Sequence, residues 1–263
     1  MQSNLARKWK HASHREVSVS DIVASFNTWA FKREQPDDVA RLQTCVERAR
    51  RKNRPIEFVT YWGKGPRSRL AAPDVQCLDF LEKMLCKVQG VCHSGARLHL
   101  LMTDTHAHLN RHSGESIDRY FCDVEREGRA RGFECRRLND VVVASNISSL
   151  EMDEEPPAAL LAALSESAGK WYRGAANRET VAREYFRGNM REKKAVETQY
   201  PDSIFISFNN SNFRLLFPDS LPIFYMYSLK RGVAVKPWFI GDDERQDGAH
   251  ASALGDLHMR EAR

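Results

Sequence analysis

The segment Gly95–His112 (GARLHLLMTDTHAHLNRH) constrains the fold more than any other part of the chain. Ala96 to Met102 is compact and mostly apolar, interrupted only by Arg97 and His99. A strand with one wet face alternates apolar and polar residues. One that does not alternate cleanly belongs inside an α/β sheet covered on both faces. The pattern breaks at Thr103, and Asp104, Thr105, His106, His108, Asn110 and His112 follow. Open α/β sheets place ligands beyond the carboxyl ends of their strands, so this polar loop stands where a site is expected. If strand geometry persists, Asp104, His106 and His108 point the same way. A carboxylate beside an imidazole fixes its tautomer and raises its basicity, as a general base requires. In the alternative reading, Asp104 and the threonines cap a following helix and the histidines face water. The His-x-His pair has metal-ligand character, but the sequence does not single out a third ligand among His112, Asp202 and Asp219.

The flanking segments complete an alternating pattern. Val17–Phe31 carries apolar residues at helical spacing, and Pro36 with Asp37 and Asp38 favours a second helix to about Lys52. Ile56–Tyr61 (IEFVTY) is a strand signal that stops at WGKGPRSR, where two glycines and a proline end any ladder. In that loop Lys64, Arg67 and Arg69 bracket Gly63, Gly65 and Pro66, a setting in which cations can meet a phosphate or carboxylate. The glycine spacing is neither that of a P-loop nor that of a dinucleotide fingerprint. Asp74–Val91 reads as a helix, Ser113 as the cap of another with the stripe Ile117, Tyr120, Phe121, Val124 and Gly128, and Phe133–Leu138 as a short strand. Strand–helix–strand–helix–strand order predicts a Rossmann-like, doubly wound, mostly parallel α/β sheet with right-handed crossovers. Ile56–Tyr61 and Arg97–Met102 are its expected adjacent central strands.

Further along, Val141–Ser149 is ambiguous between strand and turn. Pro156-Pro157 opens a helical region to about Trp171, and Arg173–Gln199 is a long charged helical stretch that Gly174 or Gly188 could divide. A β-rich carboxyl-terminal segment follows: Ser203–Phe208, Phe213–Phe217, Phe224–Tyr227 and Val233–Val235. Asn209–Asn212 between the first two suggests a hairpin or a sharp bend. Its amides, Ser207 and Asn209 with them, could meet the polar ends of an amino acid, and Lys230 and Lys236 a carboxylate or phosphate. The expected organisation is a flexible basic segment over residues 1–15, one α/β enzyme domain over 16–240 and a polar tail over 241–263.

Charge excludes little. An excess of 40 Lys and Arg over 35 Asp and Glu is compatible with an anionic ligand or with tRNA and demands neither. The basic run Arg48–Arg54 suits the carboxyl end of a solvated helix. Six cysteines without a CxxC pair, and no apolar leader ahead of them, are expected to be reduced thiols in a cytoplasmic protein. Neither a GxSxG elbow nor a base-stacking aromatic patch is present. Residue chemistry alone therefore reaches an α/β enzyme with an anionic substrate.

Over about Pro55–Ile240 the order of segments resembles the isonitrile (isocyanide) synthase family. The resemblance is carried by PIEFVTYWGKGPR, PDVQCLDFLEKML, SGARLHLLMTDTHAHLN with DRYF, and YPDSIFISFNN followed by KPW. It implies a transferase or lyase of natural-product biosynthesis that joins an amino acid to ribulose 5-phosphate, the sugar supplying the isonitrile carbon. No metal or redox cofactor is implied, and an iron and 2-oxoglutarate oxygenase is an expected downstream partner. By position Lys64, Asp104, Tyr200-Pro201 and Ser207 match family residues, and His106 lies where the polar loop after the aspartate continues. Asn209 stands where the family has histidine, and Thr103-Asp104-Thr105 where it has Ser-Asp-Gly. Such a reaction needs proton transfers near neutral pH, so His106 becomes the leading acid–base candidate, Asp104 its partner or a direct base, and His108 the reserve. A fainter resemblance is to cyclodipeptide synthases, which take aminoacyl-tRNA; the serine that family needs after the first strand has only Ser68 to match it. A non-catalytic scaffold or small-ligand-binding protein on the same fold is the third reading.

Overall fold

A computed structural model describes residues 17–63, 68–147 and 154–227. Its centre is a five-stranded sheet in which every neighbouring pair is parallel, with strand order β3-β2-β1-β4-β5. The strands are β1 (Ile56–Trp62), β2 (Ala96–Met102), β3 (Glu134–Arg137), β4 (Ile204–Ser207) and β5 (Ile223–Tyr225). β1 and β2 pair along their whole length, from Ile56 opposite Ala96 to Trp62 opposite Met102. The expected Rossmann-like parallel core, with these two as adjacent inner strands, is the architecture observed.

Both faces of the sheet are covered. On one, Ile56, Phe58, Leu98, Leu100, Ile204, Ile206 and Phe224 pack with α1 (Val19–Phe26), α2 (Val39–Arg51), α3 (Ala72–Gln89) and α5 (Gly114–Ala130). On the other, Val59, Leu101, Phe205, Ile223 and Tyr225 meet α6 (Leu138–Ala144), α7 (Ala158–Trp171) and α8 (Arg178–Gln199). Two buried faces explain why β2 lacks clean alternation. Thr60, the polar residue inside β1, is fully buried and donates its hydroxyl to the Ile206 carbonyl at 2.9 Å.

The helices begin where their caps predict. Ser18, Asp38, Ser113 and Asn177 each accept a backbone N–H of the first turn with the side-chain oxygen, satisfying donors that the helix itself leaves unpaired. Gly128 lies on the buried stripe of α5, and a Cβ there would stand 2.6 Å from the Cys135 sulfur and 3.5 Å from Leu100 Cδ2. Gly128→Ala gains about 1 kcal/mol of helix propensity but overpacks a closed interface at a cost of about 1–3 kcal/mol. A lower urea midpoint is the expected outcome, and Cys135→Ala in the same chain should recover part of it.

Several expectations need correction. The polar segment after β2 is a short helix, α4 (Asp104–Leu109), and not a loop. Val141 lies in α6, where Leu138, Val141 and Val142 are buried, so the β-branched run serves one face of a helix. Gly188 does not divide α8, which runs unbroken from Arg178 to Gln199, while Gly174 falls in the connection before that helix. Phe213 does not lead a strand: Ser211–Leu216 is a 3₁₀ helix, tied down where the Ser211 N–H donates to the Glu34 carboxylate at 2.6 Å. β4 and β5 are therefore parallel neighbours joined by a crossover, with no hairpin between them. Val233–Val235 and the expected basic and polar terminal segments, 1–15 and 241–263, lie outside the described residues. Of the six cysteines, Cys45, Cys77, Cys92 and Cys135 are buried, Cys86 and Cys122 are exposed, and all are free thiols. Among the described residues no helix is long and apolar enough to cross a membrane.

Candidate active site

At the carboxyl ends of β1 and β2 the two strands are locked together. Thr103 donates its N–H to the Trp62 carbonyl at 2.9 Å and its hydroxyl to the same oxygen at 3.2 Å. The chain then turns directly into α4, which changes the directions of the candidate residues. Successive helical residues are rotated by about 100°, so Asp104 and His108 share a side and His106 points away from both. The strand-like alternation expected to bring all three together is absent.

His106 has a carboxylate partner nonetheless, supplied by α8. Its Nε2 lies 2.6 Å from Glu192 Oε2, and the adjacent Thr105 hydroxyl donates to Glu192 Oε1 at 2.6 Å. Glu192 is buried, with 2% of its surface exposed, whereas the His106 side chain keeps 16%. Burial pushes the Glu192 carboxyl up. The charge and hydrogen bond of His106, the Thr105 hydroxyl and the Arg191 charge together outweigh that and hold it below the usual carboxylate range. An ionised Glu192 can only accept, so the proton between the two groups sits on His106 Nε2. One buried carboxylate thereby fixes the orientation of the partly open imidazole and holds a proton on its Nε2.

Aromatic rings surround this pair. The Tyr185 ring lies 4.9 Å from the imidazole and the Tyr61 ring 6.2 Å, and Tyr61 in turn stands edge-on to Phe205 at 5.0 Å. Burial first, then the nearby charge of Glu192, raises both tyrosine hydroxyls above their ordinary range, so both stay protonated at neutral pH. The Tyr61 hydroxyl is buried and has no hydrogen-bond partner among the described residues.

The other sequence candidates lie in different settings. The Asp104 carboxylate accepts the Asn139 N–H at 3.1 Å in the first turn of α6, so its observed partner is a helix end and not the His106 ring. His108 is exposed. Arg69 reaches toward α5, where its Nη1 is 3.4 Å from the buried carboxylate of Asp123, which Arg126 also contacts at 3.0 Å. Ser207 ends β4 and accepts the Asn209 N–H at 3.0 Å, a local turn in which both residues are engaged. Lys64, Arg67, Lys230 and Lys236 lie outside the described residues. Among the described residues no group of three or more His, Cys, Asp and Glu is placed to hold a metal ion.

Glu192, Thr105, Tyr61 and Tyr185 were missed by sequence reasoning. A signal existed for Glu192: with Tyr185 and Asn189 it falls on the buried stripe of α8 that also carries Ala182, Phe186 and Val196. A glutamate on the apolar stripe of an amphipathic helix requires a partner. The contact of Asp104 also sets an expectation. Asp104→Asn retains an acceptor oxygen for the Asn139 N–H, and asparagine caps about as well as aspartate. Its thermal midpoint should match wild type, and any fall in turnover would then report on the lost charge itself.

No family model matches the sequence, and no curated protein matches it. Solved structures do. The PvcA protein from Pseudomonas aeruginosa superposes with a TM-score of 0.62 at 15% identity, covering 84% of this chain and 87% of that one. Tyrosyl-tRNA synthetase complexed with L-tyrosine from Archaeoglobus fulgidus gives a TM-score of 0.53 at 12% identity, covering 79% of this chain and 63% of that one. At these identities the likeness is one of fold. The chain has the α/β architecture that these proteins share, over most of its length.

Proposed function

We propose that this protein is a biosynthetic enzyme of the isonitrile synthase type, condensing an amino acid with a pentulose phosphate to form an isonitrile or a related nitrogen–carbon product. The observation that carries the reading is the half-open His106, held by buried Glu192 at the carboxyl ends of two parallel inner strands. Open α/β sheets bind at that edge. Two supports are added. The sequence resemblance to isonitrile synthases spans much of the chain over which the fold of PvcA is shared. The imidazole has the proton-transfer chemistry that condensation at a carbonyl and fragmentation of a sugar require.

In this reading His106 takes and returns protons through Nδ1, while Glu192 faces the imidazolium that forms. Lys64 and Arg67, in the glycine-containing loop after β1, are assigned to the sugar phosphate. Ser207, Asn209, Lys230 and Lys236 are secondary candidates for the polar ends of the substrates, and the site is given no metal or redox cofactor. The tyrosyl-tRNA synthetase likeness favours one competitor, an aminoacyl-tRNA-dependent transferase, because that neighbour binds L-tyrosine on a related fold. One experiment separates them. Purified protein is incubated with a pool of amino acids and uniformly labelled ribulose 5-phosphate, and in parallel with charged tRNA, and products are followed by mass spectrometry. A product that gains one labelled carbon supports the proposal. A product that needs charged tRNA and disappears after ribonuclease treatment supports the competitor, and no turnover of either substrate set leaves a non-catalytic binding protein.

A further inference from the structure

Tyrosine hydroxyls inside this fold have partners. Tyr225, at the end of β5, donates to the Asp37 carboxylate at 2.7 Å. Tyr120 lies 3.3 Å from the Trp62 indole nitrogen, and Tyr200 accepts from Arg136 at 3.4 Å. Tyr61 differs, since its buried hydroxyl meets no partner among the described residues. An unmade hydrogen bond away from water is costly, and a group that bears this cost calls for an explanation. The position supplies one. Tyr61 is the next-to-last residue of β1, on the face shared with Phe205, and its ring stands at 80° to that of His106. The residue as a whole is only partly buried, although its hydroxyl is enclosed.

We propose that the Tyr61 hydroxyl is a catalytic hydrogen-bond donor, holding the oxygen of a substrate ketone while His106 removes a proton from the carbon beside it. The inference deepens the proposed function and rests on its assignment of a ketose phosphate to this site. In the step, the carbon–hydrogen bond breaks and its proton goes to His106 Nδ1. The electron pair forms a carbon–carbon double bond, and the carbonyl π pair moves to oxygen as an enolate. Tyr61 donates its hydrogen bond to that oxygen without giving up its proton. Burial and the nearby charges of Glu192 and Glu197 keep the phenol protonated, as a donor must be. A donor already fixed in a water-poor site stabilises a developing oxyanion with little reorganisation. The imidazolium that forms at the same moment faces the Glu192 carboxylate.

The step has a readout that needs no amino acid. In D2O, wild-type protein should exchange the hydrogens beside the ketone of ribulose 5-phosphate for deuterium, followed by NMR, faster than buffer alone. Tyr61→Phe should slow that exchange about 10²-fold or more, the size expected for one oxyanion donor. Its dissociation constant for the sugar should change little, and its thermal midpoint should equal or exceed wild type because an unpaired hydroxyl has been removed. Incorporation of 3-fluorotyrosine at position 61 keeps the hydroxyl and should retain exchange, which separates chemistry from packing. Undiminished exchange in Tyr61→Phe, or none by wild type, overturns the inference. Exchange that depends on Tyr61 without any amino-acid product keeps this inference and rejects the condensation. Product formation undiminished in Tyr61→Phe does the reverse.

Discussion

Glu192→Gln should lower turnover by about 10²- to 10⁴-fold, the range that positioned acid–base groups contribute. Glutamine is nearly isosteric and can still accept from the Thr105 hydroxyl, so α4 and α8 remain joined. The charge facing the His106 ring is what disappears. An amide can also donate to Nε2, which would reverse the tautomer and take the lone pair away from Nδ1. Stability changes in a pH-dependent way. In the wild type the Glu192 carboxyl is held below its usual range, so the stabilisation it provides is fully present above the unfolded value of about 4.3. It is lost as the pH falls through the lower folded value. Urea midpoints of wild type and Glu192→Gln should therefore differ most near neutrality and converge in acid. A constant gap at every pH, with unchanged turnover, would show that Glu192 serves packing alone.

How far the sequence revealed this arrangement depended on the kind of signal. β1 and β2 were legible because a compact apolar run bounded by turn residues is consistent with a doubly covered strand, and both segments pair over seven residues. Ser113 and the stripe from Ile117 to Gly128 marked α5 through capping and helical spacing. α4 was not legible. It has six residues, and Asp, Thr and His are weak helix formers, so tertiary contacts to Glu192 and to α6 decide its conformation. The run FRLLF shows the opposite failure. A short apolar segment fits strand or helix equally well, and here Leu216 and Phe217 bury their side chains from a 3₁₀ turn and its end. His106 was found as a candidate, but its partner was sought next to it in sequence. The partner lies 86 residues later in a highly charged stretch, where only its place on the buried stripe distinguishes Glu192 from Arg191 or Lys194.

His106→Gln and His106→Ala should part company in a way that separates chemistry from structure. Both remove the imidazole held by Glu192, and both should cut turnover by about 10²-fold or more. Glutamine can donate its amide N–H to the Glu192 carboxylate and keep one hydrogen bond, so its thermal midpoint should stay near that of wild type. Alanine leaves a buried carboxylate with only the Thr105 hydroxyl and the Arg191 charge to offset burial. Removing one partner of a buried pair costs about 3–5 kcal/mol, reduced here because His106 is partly open to water. The direction with pH follows from the causes of the shift. Without the imidazolium, burial raises the Glu192 carboxyl relative to wild type, so the variant suffers most where that group must be charged. The stability deficit of His106→Ala should thus be largest at neutral pH and shrink as acid protonates Glu192. Denaturant titrations at several pH values test this directly. A deficit that grows in acid would mean that Glu192 is not the group left uncompensated, and near-wild-type turnover of His106→Gln under saturating substrate would remove His106 from the chemistry.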